Sequence, residues 1–173
     1  MKKKYLAIIF ALMAIGIKTN AQEANSATVG LGLGLEYGGI GGQLAYQADD
    51  QFGVFVGLGT ALASTGYNVG LIYLLKGKSK ERFFLEAMYG YNGVIIVDDP
   101  VGGDIRKTYY GPSFGGGVNL DNKGGNSFWH FAVLIPIRSS AYRDQWNAIK
   151  NNPDFETSIS LPFTVSIGIN FRL

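Results

Sequence analysis

The 173-residue chain has no cysteine and a single histidine, His130. It therefore forms no disulfide and offers no thiolate to a metal, and acid–base chemistry by imidazole is narrowed to one position. Beyond its N-terminal leader it lacks any apolar run of about 18 residues, so no helix of the mature chain suits a hydrocarbon core that needs roughly 20. A third shortage is hidden by the formal net charge of +2. Residues 1–21 open on the basic "MKKK", continue through an apolar stretch at 5–17 and end in "TNA" before Gln22, the three-part order of a secretory signal peptide. Its removal takes four of the 15 basic residues, Lys2, Lys3, Lys4 and Lys18, and leaves 11 against 13 acidic ones. The mature chain, 22–173, is then net acidic (11 − 13 = −2), which leaves no case for nucleic acid as a partner.

What the chain does have is glycine, tyrosine and alternation, with 25 glycines and 10 tyrosines. In the C-terminal "FTVSIGINFRL", Phe163, Val165, Ile167, Ile169, Phe171 and Leu173 alternate with Thr164, Ser166, Gly168, Asn170 and Arg172. A period of two separates an apolar from a polar face. The same pattern at 27–37, 40–46, 52–62, 67–75, 83–92, 110–120 and 128–137 predicts seven more strands, most of them near the 9 to 11 residues of a tilted membrane crossing. The Gly38-Gly39 pair predicts a tight hairpin that sets Tyr37 opposite Ile40.

The placement of aromatics decides what the apolar face meets. With strands alternating in direction from a periplasmic N-terminus, Tyr37, Tyr67, Tyr89, Tyr91, Tyr110 and Phe163 fall at one rim, and Tyr46, Phe52, Phe83, Trp129 and Phe171 at the other. Two girdles are expected of an outer-membrane barrel. A soluble sandwich would instead bury apolar side chains on its inner face, where this chain has Gly, Asn, Gln, Ser, Thr and Glu. The expected fold is all-β: a transmembrane, eight-stranded, antiparallel up-and-down β-barrel. Across 27–173 the sequence resembles the small eight-stranded outer-membrane barrels of the OmpA/OmpX type. Its "SIGINFRL" is similar to the C-terminal strand signal read by the barrel assembly machinery, although that signal usually ends on an aromatic and here Phe171 is followed by Arg172 and Leu173. The resemblance implies an integral outer-membrane protein with periplasmic termini, surrounded by outer-membrane lipids, and it brings no enzyme motif and no cofactor.

Short polar turns, "QADDQ", "KGKSKE" and "DNKGGN", are expected at the periplasmic end, and longer connections at 93–107 and 138–161 outside. The first reads as a hairpin projecting beyond the bilayer; Asp98, Asp99 and Asp104 at its tip match no EF-hand spacing and read as turn residues rather than a calcium site. The second predicts a helix over 141–150, capped by Ser140 and followed by Pro153. Tyr142, Trp146 and Ile149 share one face of it, a candidate surface for an extracellular or envelope partner, or else a face packed on the rim. Lys76, Lys78, Lys80 and Arg82 form a basic turn that either meets lipid phosphates or is simply solvated.

Inside, Glu86 stands mid-strand and needs a partner, because an unpaired buried carboxylate is costly. The cations of matching parity are Arg82, Arg172 and His130, a candidate lumen network that would cross-link the wall. Some small outer-membrane barrels are lipid hydrolases or acyltransferases built on a serine and a histidine base. Here residues 128 and 132, the same-face neighbours of His130, are Phe and Ala, and the His-x-Ser arrangement of lipid A deacylases is absent, leaving only Ser113 or Ser166 on neighbouring strands. Eight strands leave a bore that side chains nearly fill, although the inward glycines of the first and third strands predict a small polar void. The sequence thus favours a non-enzymatic scaffold presenting its outer loops, with a narrow porin-like channel as the alternative.

Overall fold

In the computed structural model, which describes residues 26–61, 63–76, 81–97, 105–150 and 162–173, the alternating segments become a wall. The strands are β1 (Ser26–Gly34), β2 (Gly39–Gln47), β3 (Phe52–Thr60), β4 (Thr65–Leu74), β5 (Glu81–Val97), β6 (Ile105–Asp121), β7 (Ser127–Pro136) and β8 (Thr164–Arg172). Each pairs antiparallel with the next, and β8 closes on β1 from Thr28↔Arg172 to Leu33↔Ile167. The result is a closed eight-stranded up-and-down barrel with no free edge. The leader at 1–21, Lys78, Lys80, the three aspartates 98, 99 and 104, and the segment 151–161 lie outside the described residues.

Because side chains alternate and the registers align, one parity points out around the whole circumference. Leu31, Leu44, Val56, Leu71, Leu85, Phe114, Val133 and Val165, one from each strand, are all exposed. The inward face is less polar than its sequence implies. Phe55, Ile72, Leu74, Phe84, Met88 and Leu134 pack with Leu35 into an apolar cluster inside the bore, next to buried Gln43, Asn68, Glu86, Asn119, His130, Ser166 and Asn170. A bore this narrow excludes most water, so apolar side chains are stable there as filler.

The largest departure from the alternation lies at the end of β1. The strand stops at Gly34, and Leu35–Tyr37 form a 3-10 turn before β2 begins. Gly34 sits opposite Gly39, and Leu33 rather than Tyr37 opposes Ile40. Gly34, Gly38 and Gly39 take φ of 133°, 69° and 102°, angles that L side chains rarely adopt. They fold the turn inward, so Leu35 and Tyr37, expected on the lipid face, are buried inside the barrel.

The β5–β6 hairpin goes the other way. Its 17-residue strands stay paired out to Val97↔Ile105 past a bulge between Tyr91 and Gly93. They run roughly 25 Å along the strand beyond their 10-residue neighbours β4 and β7, at 3.3 to 3.4 Å per residue. Helix α1 (Ser140–Lys150) leans on this extension. Its cap is Ser139, one residue earlier than expected: Ser139 Oγ accepts the Tyr142 amide at 3.3 Å.

Candidate functional site

The inward turn is held from several strands. The Leu35 amide donates to Ser166 Oγ of β8 at 3.2 Å, and its carbonyl accepts from Asn68 Nδ2 of β4. Asn170 Nδ2 of β8 donates to the Tyr37 hydroxyl at 3.1 Å. Missing side chains provide the seat: a Cβ at Gly57 would lie 1.7 Å from the Glu36 carbonyl oxygen, and one at Gly168 2.1 Å from the Tyr37 hydroxyl. Inward glycines that leave a void on paper are filled by the chain's own loop.

Glu36, at the centre of this turn, reaches across the bore. Its Oε1 lies 3.2 Å from His130 Nε2, while His130 Nδ1 lies 2.8 Å from Asn119 Oδ1 on the paired strand. Phe84 stacks on the imidazole at 4.6 Å, and Tyr37 meets it edge-on at 6.3 Å. Glu86 completes the group: ligating atoms of Glu36, Glu86 and His130 all fall within 4.8 Å of one another. The three residues are 0 %, 5 % and 2 % exposed. Neither oxygen of Glu86, nor Oε2 of Glu36, has a hydrogen-bond partner among the described residues. Two carboxyl groups so far from water are tolerated when a proton or a cation neutralises part of their charge.

Arg82 and Arg172 do not supply that cation. Both pair with Asp121 at the end of the barrel that holds the termini, Arg82 at 3.3 Å, and both guanidinium groups lie over the Phe128 ring, at 5.5 and 5.0 Å. Arg82 is four residues from Glu86 along β5, roughly 13 Å at 3.3 Å per residue, and Asp121 is closer. The expected network of Glu86 with these two arginines is therefore corrected to an arginine pair on Asp121 and a separate Glu36–Glu86–His130 group. Glu36 went unselected in the sequence although a signal was there: in "GLGLGLEYGG" it is the first residue of inward parity after three glycines.

His130 has both ring nitrogens engaged, by Asn119 and Glu36, and Ser166 Oγ accepts the Leu35 amide instead of facing an imidazole. This is not the geometry of an activated serine.

Of the expected rim aromatics, Tyr67, Tyr89, Phe163, Phe52, Phe83, Trp129 and Phe171 are exposed, and Tyr46 and Tyr110 are half-buried. Tyr110 stacks on Tyr67 at 4.9 Å and donates its hydroxyl proton to the Thr65 carbonyl at 2.8 Å. Tyr37 leaves this set for the bore, and Tyr91 packs against the inner cluster. The helix face also changes role. Tyr142 and Ile149 are buried against Ile95 and Tyr109 of the long hairpin, with Trp146 partly buried beside them, so this stripe is packing surface and not a face open to a partner.

No protein-family model matches the chain, and no curated protein matches it in sequence. Among solved structures, the crystal structure of the N-terminal β-barrel domain of Pseudomonas aeruginosa OprF is similar at a TM-score of 0.56 and 14% identity, covering 88% of this chain and 100% of that one. The likeness is one of fold, the closed eight-stranded barrel that the OmpA/OmpX resemblance implies.

Proposed function

We propose that this chain is an integral outer-membrane protein whose barrel is a stoppered, rigid scaffold, exported through the 1–21 leader and inserted with its termini in the periplasm. The apolar residues exposed on all eight strands support membrane residence: a continuous apolar band of that kind is unfavourable in water and is the expected outer face in lipid. Biogenesis then runs through the barrel assembly machinery, and outer-membrane lipids are the permanent surroundings.

The observation that carries the scaffold reading is Tyr37, 0 % exposed in the middle of the bore. A conduit needs water where this ring lies. With the bore occupied, the presented surface is the β5–β6 extension and α1. The exposed side of the helix carries Arg143, Asp144 and Asn147, and a partner in the envelope or outside the cell meets this polar side.

One observation favours the runner-up, a narrow ion or solute path. A cavity of about 60 Å³ enters the bore from the end with the termini, past Gln43 and Asn119, and reaches His130. It has room for a few waters. Refolded mature protein in a planar lipid bilayer separates the two readings. We expect no steady conductance from the unmodified chain and small discrete steps when residues 35–37 are deleted. A steady, selective conductance in the unmodified protein would promote the channel.

A further inference from the structure

We infer that Glu36, Glu86 and His130 form a binding site for one borderline divalent transition-metal ion of the Zn²⁺ class, which staples the inward turn to the barrel wall. The inference rests on the geometry of the bore and stands apart from the choice between scaffold and channel.

Three features converge. The first is the unpartnered oxygen: both oxygens of Glu86, 5 % exposed, and Oε2 of Glu36, 0 % exposed, have no donor among the described residues, and a carboxylate oxygen of each lies within 4.8 Å of the other and of a His130 ring nitrogen. Such groups are rarely left unsatisfied without a ligand or ion. The second is the placement of the imidazole. Its Nδ1 lies 2.8 Å from the Asn119 side-chain oxygen and its Nε2 3.2 Å from Glu36 Oε1. A ring that donates Nδ1–H to Asn119 has Nε2 available as a ligand beside that carboxylate oxygen. A carbonyl oxygen holding the far ring nitrogen of a metal-bound histidine is the usual supporting arrangement. The third is charge and ligand type. Two carboxylates and a neutral imidazole balance a divalent ion. A mixed nitrogen and oxygen set suits Zn²⁺, Co²⁺ or Fe²⁺, while Ca²⁺ takes 6 to 8 oxygens and Mg²⁺ demands an octahedron of them.

The three ligating atoms lie within 4.8 Å of one another. Around an ion with bonds of 2.0 to 2.2 Å, tetrahedral ligands are about 3.4 Å apart, so side-chain rotations of an ångström or so close the site. Three protein donors leave a fourth position for water. The ligands come from three places in the chain: the inward turn, β5 and β7. Binding therefore ties residues 50 and 94 apart in sequence to Glu36, and couples the metal to the seating of the turn.

The test uses mature chain without an affinity tag, refolded into detergent micelles with Zn²⁺ or Co²⁺ and then desalted. We expect about one metal per folded barrel by mass spectrometry of the metal, and an intense visible d–d absorption band in the Co²⁺ form, as four- or five-coordinate geometry requires. Glu86→Gln should lower retention at least about tenfold, and Asn119→Ala about tenfold through the orientation of His130. Glu86→Gln puts an uncharged amide where a carboxylate stood, and folding is checked by the heat-modifiable shift in gel mobility. Should it fail to fold, the unmodified barrel decides alone. Folded wild-type barrels that keep less than about 0.1 metal and show no Co²⁺ band would overturn the site, leaving a shared proton as what joins the carboxyl groups. Equal retention by folded Glu86→Gln barrels would do the same.

Discussion

Two hairpins leave the same end of the barrel, β1–β2 and β5–β6, and they go in opposite directions. The first is short and folds into the bore; the second is long and rises clear of it. Both begin as alternating strands, so the pattern alone does not separate them. What separates them is what each finds to bury against. The β1–β2 turn has glycine at its hinges and glycines on the facing strands, so its Leu35, Glu36 and Tyr37 enter a space already cleared for them. The β5–β6 extension carries Ile95 and Tyr109, which have no room inside and are covered instead by Tyr142 and Ile149 of α1. An apolar residue at a rim thus has three fates in this fold, which are lipid, bore or helix, and small residues opposite it decide which.

The strongest way to break this contrast is a pair of neighbours on β8. Ser166 is fully buried and bonded to the Leu35 amide, and Ile167 points outward. Ser166→Arg forces an unpaired charge against the seated turn and should cost about 3 to 5 kcal/mol in urea unfolding; Ile167→Arg on the lipid face should cost about 2 to 4 kcal/mol. From sequence alone the inward serine looks the more tolerant of the two. If Ser166→Arg refolds with wild-type stability, the bore has space and the turn is elsewhere.

A gentler perturbation targets the seat. Gly57→Ala drives a methyl group onto the Glu36 carbonyl and should destabilise by about 1 to 3 kcal/mol. Gly124→Ala, with nothing within 4 Å, is the control and should stay within about 0.5 kcal/mol. Comparable losses at both positions would mean that Gly57 matters for conformation and not for room.

Much of this was legible in the residues. The eight strands, the outward parity, the projecting hairpin and the helix near 140–150 follow from periodicity and turn chemistry, because each is set by neighbours in sequence. The seated turn was not legible, since Leu35 and Tyr37 continue the lipid-facing parity without a break. What overrules them is the set of glycines on β3 and β8, and that is a property of register. Glu86 and His130 were readable as inward groups and do come together. Arg82 and Arg172 share their parity but start near the periplasmic end, so only strand tilt could bring one level with Glu86, and Asp121 takes up both there.

On the outward hairpin the expected effects are smaller. Ser139→Ala removes the hydroxyl that caps α1 and should loosen the helix by about 1 kcal/mol, seen as faster proteolysis within 140–150 while the heat-modifiable gel shift of the barrel is unchanged. A fall in barrel stability would tie the helix to the wall more closely than its packing indicates.

The smallest effect belongs to the turn after β2, at the opposite end. Asp49 accepts the Gln51 and Phe52 amides, each at 2.7 Å, and these bonds hold its carboxyl below the ordinary value of 3.8. A carboxyl lowered in the folded state stabilises at pH above its unfolded value, and that contribution fades as the pH drops through the folded one. Asp49→Asn should therefore lower the urea midpoint slightly at pH 7, with the difference shrinking below about pH 3.8. A difference that grows on acidification would contradict the assignment.

The contrast between the two hairpins finally rests on where one ring lies. Nuclear Overhauser contacts from the Tyr37 ring, measured in the refolded barrel in detergent micelles, test this directly. The account predicts contacts to the Gly168 α-protons and the Asn170 side-chain amide, with none to detergent acyl chains. Contacts to the acyl chains, as a rim aromatic would give, with Gly168 silent, would contradict it.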